Sequence, residues 1–82
     1  MQVQYSPDID ALYVRLAEGE FGWTDDLGGL RHVDYAKDGT VLGVEILNPR
    51  AEGVNLRDVP RADLIGAELD RLGFRVLTIT SA

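Results

Sequence analysis

The sequence predicts an α+β fold: an antiparallel β-sheet of five to six strands built from β-hairpins, with one C-terminal helix followed by a last strand. Three observations carry this expectation. Leu30 to Leu47 reads as two strands folded back on each other at Asp38-Gly39. Ala62, Ile65, Leu69 and Leu72 recur at spacings of three or four, the period of a helix with one buried face. After Gly73, Phe74 to Thr80 returns to an extended, largely apolar pattern. The 82 residues form a single domain over 1–82, with an antiparallel strand core in 1–47 and the helix and closing strand in 48–82.

The elements follow in order. Gln2 to Tyr5 alternates polar and apolar residues, and Ser6-Pro7-Asp8 supplies turn chemistry. Ala11 to Ala17 resumes the alternation, with Leu12, Val14 and Leu16 facing one way and Tyr13 and Arg15 the other, so a second strand pairs antiparallel with the first. Ile9, inside the connection, is expected to plug the end of the core. Phe21, Trp23 and Asp25 are expected to share one face of a third extended segment. Asp25-Asp26-Leu27-Gly28-Gly29 then breaks the pattern and reads as an irregular, mobile connection.

The central hairpin has two possible registers. A two-residue Asp38-Gly39 loop sets Tyr35 opposite Leu42, Val33 opposite Val44 and Arg31 opposite Ile46, with His32 opposite Glu45 and Asp34 opposite Gly43 on the reverse face. A three-residue loop ending in a bulge at Gly39 slips every pair by one, bringing His32 opposite Val44. The two-residue loop is preferred because it matches apolar partners. Beyond Leu47, Asn48 to Gly53 ends the strand and Val54-Asn55-Leu56 is too short to assign. The helix is expected to start near Asp58, with Pro60 in its first turn, Asp63 at the positive end of its dipole, Leu64 widening the buried stripe and Gly73 as its stop.

Composition excludes several function classes. There is no cysteine, so neither disulfides nor thiolate metal sites supplement a core this small. Association with another chain is the remaining route to extra stability, and a homodimer is the expected state. The net charge of −6 comes with scattered basic residues, which disfavours nucleic acid as a ligand. The sequence shows no signal-peptide pattern and no apolar run of membrane-spanning length, so no membrane is expected as a partner and a cytoplasmic location is expected.

Candidate chemistry is thin. His32, Asp34 and Glu45 share a strand face in the preferred register, where they could hold a divalent metal or simply form a solvated polar patch with modest cross-strand pairing. Asp8, Asp10, Asp25 and Asp26 lack the spacing of a Ca²⁺ loop and serve turns and solubility. No nucleophile and base pair stands out, and no glycine-rich segment opens a helix to cradle phosphate. Gly43 instead lets a neighbouring side chain lie across the sheet. Phe21 and Trp23, with Asp25 and Asp26, form either an anchor for a partner or part of the core.

The run Tyr5-x-x-x-x-Asp10-Ala11-Leu12-Tyr13-Val14-x-Leu16, followed by Val33-Asp34-Tyr35-x-x-Asp38-Gly39-x-Val41-Leu42-Gly43-Val44-Glu45-Ile46-Leu47, resembles the YuzE-like family of small bacterial domains, domain of unknown function 2283. The resemblance implies an α+β fold of antiparallel strands with a helix. It carries over no cofactor and no catalytic residue. Some members are encoded beside small toxin-like proteins, which implies an antitoxin-like role, and the acidic charge suits a small basic protein partner. The expected function is a non-enzymatic interaction domain that self-associates and binds a protein partner. The alternative is a small-molecule or metal-binding domain using His32, Asp34 and Glu45.

Overall fold

Alternating residues in the first half of the chain produce strands whose apolar sides must all face one way, and the sheet they form does this. A computed structural model describes residues 1–78. Strands β1 (Gln2–Ser6), β2 (Ala11–Arg15), β3 (Phe21–Asp26), β4 (Arg31–Ala36) and β5 (Val41–Leu47) make one antiparallel sheet in the order β1-β2-β5-β4-β3. The β3-β4-β5 meander returns to lie beside β2, a Greek-key arrangement that leaves β1 and β3 as edges. The second half comprises α1 (Pro49–Glu52), β6 (Val54–Asn55), α2 (Ala62–Arg71) and β7 (Val76–Thr78).

One face of the sheet is the core. Leu12 and Val14 of β2, Val44 and Ile46 of β5 and Val33 of β4 pack against Val54, Leu56, Val59, Ala62, Ile65, Leu69 and Phe74. The C-terminal segment is therefore the lid of the hydrophobic core. Its β6 and β7 pair in parallel with each other, so the closing strand stands in a two-stranded sheet of its own. Ile79 and Thr80, which the sequence pattern places in the same strand, lie outside the described residues.

The hairpin resolves its two registers by using both. Lys37-Asp38-Gly39 forms a three-residue turn in which the Ala36 N–H donates to the Thr40 carbonyl at 2.8 Å, the Gly39 N–H donates to the Ala36 carbonyl at 2.9 Å, and Gly39 takes a φ of 92°. Tyr35 consequently faces Val41 rather than Leu42. A bulge at Leu42 then restores the two-residue pairing, with Asp34 opposite Gly43, Val33 opposite Val44, His32 opposite Glu45 and Arg31 opposite Ile46. The Leu42 carbonyl faces β2 and continues the β2-β5 register beyond Arg15 and Gly43. It accepts from the Leu16 and Ala17 N–H groups at 2.8 and 3.2 Å, pinning the connection from β2 to β3 across the sheet end.

Other expectations give way to tertiary packing. Ile9 does not plug the core: it is 68% exposed, on a turn whose Asp10 has a φ of 49°. Helix α2 starts at Ala62 behind a left-handed Arg61, not at Asp58, because Leu56 and Val59 are drawn into the core and hold the chain in a turn, Val59 N–H donating to the Leu56 carbonyl at 3.1 Å. Pro60 precedes the helix, Leu64 points to solvent, and Leu72, 40% exposed at the helix C-cap, does not extend the buried stripe as expected. Asn48 to Gly53 contains the short helix α1, which the sequence pattern does not reveal.

The segment after β3 is also more regular than its glycines imply. Asp25 and Asp26 belong to the strand, and the Asp26 Oδ1 accepts the Gly28 and Gly29 N–H groups, each at 2.9 Å. Those hydrogen bonds hold the Asp26 carboxyl below the usual carboxylate range. Arg31, on the core face, donates to the carbonyls of Leu27 and Arg57, tying this turn to the C-terminal segment.

Candidate functional site

The face of the sheet opposite the core is polar, and strand register arranges it in two rows. Gln2, Arg15, Gly43, Asp34 and Thr24 lie across β1, β2, β5, β4 and β3 in one row, and Gln4, Tyr13, Glu45, His32 and Asp26 in the next. The expected trio His32, Asp34 and Glu45 does share this face, but its members have different partners. Asp34 accepts from the Tyr13 hydroxyl at 3.0 Å and from the Thr24 hydroxyl at 2.6 Å. His32 stands between two carboxylates, its Nδ1 3.2 Å from Glu45 Oε1 and its Nε2 3.9 Å from Asp26 Oδ1. The Nδ1 contact is off-axis and makes no hydrogen bond. Among the described residues, no group of three His, Cys, Asp or Glu side chains is placed to hold a metal ion.

Tyr13 is the residue that organises this face. It reaches Asp34 by lying over Gly43, where a Cβ would come within 2.3 Å of the phenolic oxygen. Burial, the hydrogen bond to Asp34 and the charge of that carboxylate together push the Tyr13 hydroxyl up to about 12. A phenol so held is a fixed donor at neutral pH rather than a base. The sequence signal for it was the pair Tyr13 and Gly43, an aromatic residue on the polar face of one strand beside a missing side chain on another.

The sign of the Tyr13 effect gives a test. A hydroxyl whose folded pKa is raised contributes stability that is complete below the unfolded value near 10 and lost as pH rises toward about 12. Tyr13→Phe is therefore expected to lower stability at neutral pH by about 1 kcal/mol, the net worth of one hydrogen bond. It is also expected to flatten the loss of stability between pH 10 and 12, measured by urea unfolding at each pH. Gly43→Ala displaces the ring and is expected to cost about 1–2 kcal/mol, falling to near zero in a Tyr13→Ala background, where the clash is gone.

A second polar cluster joins the sheet to its lid. Asp10 accepts from the Tyr5 hydroxyl at 2.8 Å and from the Arg50 and Ala51 N–H groups at 3.1 and 3.0 Å, at the start of α1. Burial draws the Asp10 carboxyl upward, and the hydrogen bonds from Ala51, Tyr5 and Arg50 outweigh it, leaving the group below its ordinary value. The Arg50 guanidinium lies 4.0 Å from the centre of the Phe74 ring and donates to the Gly73 carbonyl at 3.0 Å. In the sequence Asp10 reads only as a turn residue and Arg50 carries no signal, because Arg50, Ala51 and Gly73 meet them only across the fold.

The remaining candidates sit on β3. Trp23 and Phe21 are 43% and 56% exposed, and every residue of the strand is exposed. They do not share a face as expected. A bulge at Gly22 pairs Phe21 with Ala36 and Trp23 with Tyr35, neighbouring positions of β4 whose side chains alternate. Gly22 itself approaches the β4 backbone, where a Cβ would lie 2.8 Å from the Lys37 nitrogen. Trp23 stacks on Tyr35 with ring centroids 5.1 Å apart, and Asp25 follows on the same side, opposite Val33.

Among the described residues, no helix is long and apolar enough to cross a membrane. A family model described as "Protein of unknown function (DUF2283)" matches residues 2–49. That span covers the five-stranded sheet and stops at the start of α1. No curated protein and no solved structure matches the chain.

Proposed function

The chain belongs to the DUF2283 family of unknown function, and from that premise we propose that it is a non-enzymatic interaction domain that associates with itself and with a second protein. The observation that carries the partner-binding half of this reading is the β3 edge, exposed over its full length, with Trp23 and Asp25 on one side of the strand and Phe21 and Asp26 on the other. An exposed strand edge offers unpaired backbone groups to another chain, and a stacked indole supplies a rigid apolar anchor beside them. Trp23 on Tyr35 is such an anchor. The carboxylates beside it and the net charge of −6 favour a small basic protein, held as an antitoxin holds its target in the cytoplasm.

The test pairs sedimentation of the purified chain with recovery of bound protein from its own host by a tagged copy. The expected result is a homodimer and a stoichiometric basic partner whose capture weakens at least about tenfold in Trp23→Ala, the loss typical of a tryptophan at the centre of an interface. A strict monomer that recovers no protein removes the reading. The metal-binding alternative finds little support in a face where Asp34 is committed to Tyr13 and Thr24. Zinc or manganese binding that disappears in His32→Ala with Glu45→Ala would revive it.

A further inference from the structure

The two edges of the sheet differ in what they admit. β3 carries adjacent carboxylates at Asp25 and Asp26 and a bulge at Gly22, features that discourage pairing with an identical strand. β1, Gln2-Val3-Gln4-Tyr5-Ser6, has no charge, no proline and an unbroken register against β2. Among the described residues nothing pairs with its outer side, where every second residue turns its N–H and carbonyl away from β2. In a chain of net charge −6, an uncharged strand edge is where a second copy meets least repulsion.

We infer that β1 is the strand through which two copies of this chain join, antiparallel about a twofold axis at Gln4, making one sheet continuous across both. The inference rests on the self-association reading and names its surface. The axis sets Gln4 against the partner's Gln4 on the polar face, where primary amides both donate and accept. On the core face it sets Val3, half-buried against the core, beside the partner's Tyr5, covering apolar surface that one copy leaves open. Tyr5 is already fixed for this role by its bond to Asp10 and its edge contact with Phe74 at 5.1 Å between centroids. Charges complement across the same axis. Arg15 stands opposite Gln2 at one end of β1, and Asp8 lies two residues beyond Ser6 at the other, so antiparallel pairing brings Arg15 of each copy toward the Asp8 end of its partner.

The chain has no cysteine, so single cysteines report the interface directly. Residues facing each other across an antiparallel pair have Cα atoms about 4.5–5.5 Å apart, inside the range that a disulfide spans. Gln4→Cys is expected to oxidise to a covalent dimer, and Thr24→Cys on β3 to remain uncross-linked under the same conditions. Gln4→Lys, which opposes two cations at the axis, is expected to weaken the dimer at least about tenfold in sedimentation equilibrium while keeping the thermal transition of the folded chain. A wild-type dimer that cross-links through Thr24→Cys and not Gln4→Cys overturns the assignment to β1 and leaves self-association standing. A wild-type chain that is monomeric at every concentration overturns both.

Discussion

A chain ending at Gly53 is expected to lose its cooperative unfolding transition, although it retains the whole five-stranded sheet. The cut removes Val54, Leu56, Val59, Ala62, Ile65, Leu69 and Phe74, which cover Leu12, Val14, Val33, Val44 and Ile46. Burying a side chain of this kind is worth about 1.5–3 kcal/mol, against a net stability of about 4–12 kcal/mol for a domain of this length. Uncovering one whole face therefore outweighs the margin. The truncated chain is expected to bind a hydrophobic dye and to give broad, collapsed amide resonances, or to associate through its bared face. A sigmoidal urea curve with dispersed amide signals from the truncated chain would show that the sheet stands without its lid. The polar cluster of Asp10 and Arg50 sits at this junction, joining the β1-β2 turn to both α1 and Gly73.

Leu69→Ala is expected to cost about 2–5 kcal/mol and Leu64→Ala less than about 0.5 kcal/mol, though both leucines lie in α2. Leu69 is completely buried beneath the sheet, whereas Leu64 is 49% exposed. The larger loss is a substantial share of the total stability and shifts the urea midpoint of an 82-residue chain visibly. Equal effects at the two positions would mean that α2 is rotated about its axis relative to the sheet. The contrast also separates packing from helix propensity, because Leu and Ala differ little in intrinsic preference for a helix.

Much of the strand half was legible because period-two alternation is a local property. Val33, Val44 and Ile46 on one side, and His32, Asp34 and Glu45 on the other, follow from spacing alone once a turn is placed at Asp38-Gly39. The two-residue loop that apolar matching prefers gives way at the tip to a three-residue turn with Gly39 at positive φ, and a bulge at Leu42 restores the preferred pairs beyond it. The extra residue is held by hydrogen bonds from Leu16 and Ala17, partners that no window around the hairpin contains.

The candidate surface was legible only in part for the same reason. Tyr13 and Gly43 could be read as a side chain and the space for it, but the acceptor Asp34 was decided by the order of strands across the sheet. Phe21 and Trp23 looked like neighbours on one face until Gly22, pressed against the β4 backbone, put them on opposite sides.

By itself the sequence determined the segments of β1, β2, β4 and β5 and the apolar side of each, the helix with Ala62, Ile65 and Leu69 inward, and the left-handed stop at Gly73. Each is set by sterics and hydrophobic period within a few residues. Only the tertiary structure decided that β2 lies beside β5, that β6 and β7 form a separate parallel pair, that the helix begins at Ala62, and that β1 and β3 are the outer strands of the main sheet among the described residues. Those outcomes depend on which apolar faces meet in space, above all Leu56 and Val59 reaching the sheet, and burial between distant segments overrides local preference wherever the two compete.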